Sequence, residues 1–190
     1  MIRHDIVYFF KKLYEQGAIT LYEGNISAKK DGIIYMTPSQ QSKETLDENM
    51  IVEMAPDGNV ICDNGYKPSS EYKMHLKLYD LRDDIGAVVH THSVYATVFA
   101  LNGKPMKSDL CELELFFGGE IPCASYGKPG TDEVYRDFEK LFVKEKKDVV
   151  LLERHGIVAA GKDVEEAFAR AQTAEKIAKI SLLALFQKMC

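Results

Sequence analysis

Apolar side chains at Ile6, Val7, Phe9, Phe10 and Leu13 recur at helical spacing, and Gly17 is placed to stop that first helix. The period then changes. Glu23-Gly24-Asn25-Ile26-Ser27-Ala28 alternates as a short strand entered through a glycine turn. Asp31-Gly32 predicts a hairpin into a second strand, Ile33-Ile34-Tyr35-Met36, which Thr37-Pro38-Ser39 breaks. Ile51-Val52-Glu53-Met54 resumes the sheet, and Asp57-Gly58-Asn59 turns the chain into Val60-Ile61-Cys62.

Ser69 and Ser70 precede a helical run carrying Met74, Leu78 and Leu81, so a helix is expected to begin near Glu71. Gly86 introduces a strand holding His90 and His92, Val94 to Leu101 reads as helix, and Gly118-Gly119 mark a loop. Val149 to Glu153 is a short apolar strand that delivers His155 at its end. Asp163 with Glu166 three residues on forms a capping box, after which Phe168, Ala171, Ala174, Ala178 and Leu182 continue one helical face. No internal repeat or low-complexity linker interrupts this order. Local hairpins mixed with helices predict an α/β fold: a three-layer sandwich with a central mixed, largely antiparallel sheet flanked by helices.

Bulk composition narrows the class. A length of 190 residues with 46% hydrophobic content suits a single domain, residues 1–190, with a good core. The net charge is −5 and no Lys/Arg-rich run exists, which argues against a nucleic-acid partner. The opening MIRHDIVYFFKKL carries an early acid and no cleavage-site pattern, and no apolar run is long enough for a membrane span, so a cytoplasmic protein is expected. Cys62, Cys111, Cys123 and Cys190 are scattered without a Cys-x-x-Cys pair, which fits reduced thiols rather than a disulfide framework.

The chemistry lies in three of the five histidines. In Val88-Val89-His90-Thr91-His92, side chains two apart leave the same face of a strand, close enough to share an ion. With His155 of Arg154-His155-Gly156 they form a candidate three-ligand set, the number that leaves a zinc ion an open catalytic position. The spacing alone equally fits a satisfied histidine pair and a loop histidine. Lys67-Pro68-Ser69-Ser70-Glu71 is a helix start whose hydroxyls and free N–H groups suit either plain capping or an anion. Glu71 is foreign to a pure phosphate loop and fits a general base beside a metal. His75, one turn on, is either a further ligand or, as expected here, a residue covering the helix surface. Gly24-Asn25-Ile26-Ser27 and Thr37-Pro38-Ser39 carry the short polar groups of anion-contact loops, a pattern shared with ordinary turns.

In this order, Gly24-Asn25-x-Ser27, Thr37-Pro38-Ser39, Lys67-Pro68-Ser69-Ser70-Glu71, His90-Thr91-His92 and Arg154-His155-Gly156 resemble the class II aldolase/adducin family, most of all its L-fuculose-1-phosphate aldolase branch. The likeness runs from about residue 5 to about residue 185. It implies one Zn2+ per subunit on His90, His92 and His155. Glu71 is implied as the acid/base and as a further metal ligand when no substrate is bound. A phosphate pocket is implied at Asn25, Ser39, Ser69 and Ser70. It also implies a homotetramer with active sites between subunits, acting on a phosphorylated sugar through an enediolate, with dihydroxyacetone phosphate as one product.

Three departures from the family pattern bear on substrate. Gln40 stands where many relatives have a glycine after Thr-Pro-x, and its backbone is then a possible additional phosphate contact. Glu112, near Glu114, aligns with a tyrosine that serves the aldehyde, and both glutamates are expected as solvated surface. The chain also ends directly after its long helix, where relatives often carry a tail over the aldehyde. Two alternatives within the family are a sugar-phosphate 4-epimerase of the ribulose-5-phosphate type and, more distantly, a methylthioribulose-phosphate dehydratase. A non-catalytic adducin-like module is a third alternative, from another class.

Overall fold

The computed structural model describes residues 1–189, with side chains as far as Gln187; Cys190 lies outside the described residues. The first helix, α1 (Ile2–Glu15), buries Ile6, Phe10 and Leu13, the stripe its periodicity set out. β1 (Asn25–Lys30) and β2 (Ile33–Met36) follow as an antiparallel hairpin. Asp31 and Gly32 sit at φ 52° and 77°, the left-handed pair that a two-residue hairpin turn requires. β3 (Val52–Met54) and β4 (Val60–Cys62) extend this side of the sheet.

Next come α2 (Tyr72–Leu81), β5 (Ala87–Thr91) and α3 (Val94–Ala100). The stretch after α3, in which the sequence marks only the Gly118-Gly119 loop, holds β6 (Met106–Lys107), α4 (Cys111–Phe117), β7 (Glu120–Ile121) and β8 (Cys123–Ala124). Two helical turns, Asp132–Tyr135 and the π-helical Glu139–Lys144, complete it. Strands of two residues carry too little alternation to be read locally, whereas Gly118 does serve a turn, as the left-handed cap of α4 at φ 65°. The chain closes with β9 (Val149–Leu152), β10 (Gly156–Gly161) and α5 (Val164–Met189). The capping box forms at α5: Asp163 Oδ1 accepts from Glu166 N at 2.8 Å, and the Glu166 carboxylate accepts from Lys162 N at 2.7 Å.

The main sheet runs β4-β3-β2-β1-β5-β10-β9-β8, and every pair is antiparallel except β8 with β9. Both faces are covered, which is why all five residues of β5 are buried. On one face Phe10 of α1, Ala96 of α3 and Ala171 and Ala174 of α5 pack over Ile26, Val89 and Ala159. On the other, Met74 and Leu78 of α2 with Phe138 and Phe142 pack over Ile34, Val88 and Val158. This is the three-layer sandwich the pattern predicts. Among the described residues, no helix is long and apolar enough to cross a membrane.

Candidate metal centre and active-site cleft

His90 occupies the Val88 face of β5, and His92 follows the strand's last residue on the same side; their ring centroids are 4.9 Å apart. His155 arrives from the turn between β9 and β10, with its ring 4.8 Å from each of the other two. That turn is held by Arg154, whose backbone is left-handed at φ 58° and whose N–H donates to Ala100 O at 3.1 Å. Gly156 must be glycine here. A Cβ would come within 2.2 Å of Thr91 O and 3.2 Å of His92 Cδ2, so any side chain would push β10 off the ligand strand. On the other side of His92, the Glu175 carboxylate of α5 accepts from Tyr95 N and Ala96 N at 3.0 and 2.8 Å, fixing the start of α3.

Glu71, at the N-terminal end of α2, completes the group. Its Oε2 lies 3.2 Å from His90 Nε2 and its Oε1 3.2 Å from His155 Nε2. One donor atom from each of Glu71, His90, His92 and His155 falls within 4.8 Å of all the others, and among the described residues no other such group of three or more occurs.

The donor set fits a divalent cation. His90 Nδ1 donates to the carbonyl of Ile157 at 2.8 Å, so its lone pair is on Nε2, which points into the cluster and lies 3.0 Å from His92 Nε2. Glu71 Oε1 is buried and accepts no hydrogen bond. Convergent imidazole nitrogens and an unsatisfied carboxylate oxygen are what a zinc-type ion binds. Burial, reinforced by His90 and His155, pushes His92 down to about 4, which keeps it neutral and able to ligate at physiological pH. Burial pushes the Glu71 carboxyl up, but the facing His90 and His155 imidazoles outweigh it and hold Glu71 well below the usual carboxylate range.

A cleft of about 390 Å³ opens onto the cluster, lined by Asn25, Ser39, Gln40, Ser69, Ser70, Glu71, His92 and His155 among others. Nearly all the residues singled out in the sequence therefore meet in one place. The two polar loops are joined directly. Ser39 N donates to Lys67 O at 2.9 Å and Ser69 N to Thr37 O at 3.0 Å, as an isolated antiparallel bridge. Ser69 is buried, and its Oγ accepts from Glu71 N at 3.3 Å in the turn before α2; Ser70 is exposed to the cleft. Gln40 is exposed with a left-handed backbone at φ 57°. Gly24 stands at φ 70°, where a Cβ would come within 2.9 Å of His90 O, so the turn before Asn25 also requires glycine. A roomier groove of about 640 Å³, between residues 107–110 and the end of α5, holds no comparable donor cluster.

The structure corrects the surface role expected of His75. It is fully buried, on the inward stripe of α2 with Met74, Leu78 and Tyr79, and hydrogen-bonds Asn25 and Ser27. The signal was present in the spacing, since His75 and Tyr79 are one turn apart on the apolar face. Asn25 is likewise engaged within the protein, donating from Nδ2 to Glu71 Oε2 at 3.0 Å. Glu23 was missed: it lines the cleft, with Oε1 3.8 Å from His92 Nδ1. Its only local mark was its place before the Gly24 turn. Glu112, on α4, forms an ion pair with Lys176 of α5 at 2.6 Å rather than standing free in solvent.

Residues 4–182 match the family described as Class II Aldolase and Adducin N-terminal domain. The chain belongs to the class II aldolase and adducin family. Among its members, an L-fuculose phosphate aldolase of Methanocaldococcus jannaschii is 33% identical over 188 residues, covering 99% of each chain. The solved structure of an L-fuculose 1-phosphate aldolase superposes with a TM-score of 0.89 at 33% identity, over 96% of this chain and 85% of that one. The family's other chemistry is near as well: an L-ribulose-5-phosphate 4-epimerase of Salmonella paratyphi C is 32% identical, over 88% of this chain and 78% of its own. A divalent-metal site of Glu and three His is thus found in a chain of aldolase type.

Proposed function

We propose that this metal-dependent lyase of the class II aldolase family cleaves a ketose 1-phosphate, of the L-fuculose 1-phosphate kind, to dihydroxyacetone phosphate and an aldehyde. The observation that carries this reading is the convergence of three imidazoles and one carboxylate at the head of a polar cleft. Zn2+ is the ion that best suits His90, His92 and His155 as ligands, with Glu71 joining them when no substrate is present. Bound there, a divalent ion supplies Lewis-acid polarisation of the substrate's ketone.

The chain's own residues do the rest. Glu71, ionised and partly buried, takes a proton from the hydroxymethyl carbon in the synthetic direction, giving the enediolate. In cleavage the hydroxyl beside the breaking carbon–carbon bond loses its proton as it becomes the aldehyde, and Glu71, protonated in its turn, then delivers a proton to the enediolate carbon. Ser39, Ser69, Ser70 and Asn25, with the backbone at Gln40, bind the phosphate, a remote contact that positions the reacting carbons. The burial of Ser69 and the exposure of Ser70 support a division of labour: Ser70 offers its hydroxyl to the phosphate, while Ser69, its N–H held by Thr37 O, braces the loop. The exposed apolar Leu115, Phe116, Leu183 and Phe186 support self-association into the expected homotetramer of single-domain subunits. A cytoplasmic setting fits the absence of a spanning helix among the described residues.

The test is proton exchange on dihydroxyacetone phosphate in heavy water, followed by NMR with and without chelator. Stereospecific loss of one hydroxymethyl proton signal, abolished by chelation, is expected. No exchange by zinc-loaded protein would sink the aldolase reading. The similarity to an L-ribulose-5-phosphate 4-epimerase makes 4-epimerisation of a ketose 5-phosphate the second reading, checked by incubating L-ribulose 5-phosphate with the same protein.

A further inference from the structure

We infer that His75 is a positioning residue for Glu71, acting through the Asn25 amide along a one-way chain of buried hydrogen bonds that begins at Tyr79. The inference rests on the reading of Glu71 as the acid/base. Its direction is forced from the Glu71 end. An ionised carboxylate only accepts, so Asn25 Nδ2 donates to Glu71 Oε2 at 3.0 Å, and the Asn25 carbonyl must face His75. A carbonyl also only accepts, so His75 donates from Nε2. In a neutral imidazole the other nitrogen is then a bare acceptor, and Ser27 Oγ donates to His75 Nδ1 at 2.7 Å. The Ser27 oxygen in turn accepts from the Tyr79 hydroxyl at 2.7 Å.

His75 stays neutral throughout the physiological range because burial, helped by the nearby His90, pushes it down to about 3. The chain therefore carries no charge and has one polarity only. Its effect is to fix which end of the Asn25 amide meets the carboxylate. With the carbonyl end turned to Glu71, two acceptors would face each other and Glu71 would rotate away from the ligand histidines. Packing alone does not call for this arrangement. His75 shares the buried stripe of α2 with the apolar Met74 and Leu78, and an aromatic ring would fill its place without four polar groups to satisfy.

The tautomer is read first, in wild-type protein without metal or substrate, from nitrogen-15 correlation spectra of the histidine rings. The proton is expected on Nε2 of His75; a proton on Nδ1 instead overturns the chain. Zinc affinity is then measured by competition with a chromophoric chelator for wild type, H75F, H75Q, N25A and H75F/N25A. H75F is expected to weaken zinc about 10- to 100-fold, the size of an outer-shell effect. H75Q, which keeps a donor and an acceptor, should stay within about threefold of wild type, since outer-shell hydrogen bonding survives. The double variant should match N25A, because His75 has no route to Glu71 except through Asn25. Wild-type affinity in H75F, or losses that multiply in the double variant, would refute the proposal. Should H75F fail to fold, the wild-type tautomer decides alone. None of these readouts uses substrate, so a protein inert toward dihydroxyacetone phosphate would end the aldolase reading and leave this one standing.

Discussion

Asn25 on β1 and His90 on β5 are cross-strand partners in the antiparallel ladder, and both side chains end on the same oxygen of Glu71. The register of the sheet thereby sets the position of a carboxylate carried on a separate helix. The other oxygen, Oε1, is left without a hydrogen bond. That asymmetry gives Glu71 one anchored atom and one atom available for chemistry.

Glu71→Gln should therefore keep the fold and most of the Asn25 contact while losing proton abstraction. A fall of about 10²- to 10⁴-fold in deuterium exchange into dihydroxyacetone phosphate is expected, the usual contribution of a general base. Undiminished exchange by this variant would remove Glu71 from the proton-transfer step.

His92→Ala and His155→Ala should each lose the divalent ion and the activity together. Metal content after desalting, read by elemental analysis beside the exchange rate, checks this. A metal-free variant that still turns over would overthrow the ligand assignment.

Ser69 and Ser70 should separate on mutation although they are neighbours. Ser69→Ala removes a buried hydroxyl that accepts from Glu71 N just before α2 and should cost about 1 kcal/mol of stability, seen by chemical unfolding. Ser70→Ala leaves stability unchanged and should raise KM for a phosphorylated substrate about tenfold, as expected for one hydrogen bond to a charged group. An unchanged KM would confine Ser70 to the role of a turn residue.

Acid should destabilise the metal-free protein partly through His75. Its ordinary value of 6.5 falls to about 3 in the fold, so between those pH values the unfolded chain holds a proton that the native state does not. Stability from this group is full above pH 6.5 and is lost as pH falls through about 3, by roughly 5 kcal/mol in all. Unfolding titrations at pH 7 and pH 4 on chelated wild type and H75Q isolate it. The variant should lose clearly less on acidification, and equal losses would contradict the buried, neutral state.

Much of this was legible in the chain. Helical spacing gave α1, α2 and α3, alternation gave β1 and β2, and Asp163 with Glu166 gave the start of α5. The metal cluster was legible because a strand repeats its direction every second residue, so His90 and His92 declare their common face locally. The spacing of His75 from Tyr79 placed it on the inward stripe of α2, but its hydrogen-bond partners, Asn25 and Ser27, come from β1 about 50 residues away and are not legible locally. Residues 102–148 stayed opaque for a related reason: their two-residue strands and irregular helical turns take shape from long-range partners. Glu23 reaches the cleft only through the fold of the Gly24 turn, which has no periodicity to read.

The place of β5 in the sheet also bears on how the chain is made. It lies between β1, complete by residue 30, and β10, which begins at Gly156. In synthesis from the N-terminus, β1 is available to β5 long before β10 is, so the other edge of β5 (Ala87–Thr91) stays bare while the next stretch of chain emerges. An unpaired edge of that kind invites pairing with another nascent chain. The same delay withholds His155, so the ion-binding cluster is complete only once that edge is about to be covered. Metal uptake is thereby deferred to nearly finished molecules, and an ion bound there draws the equilibrium toward the closed sheet by mass action.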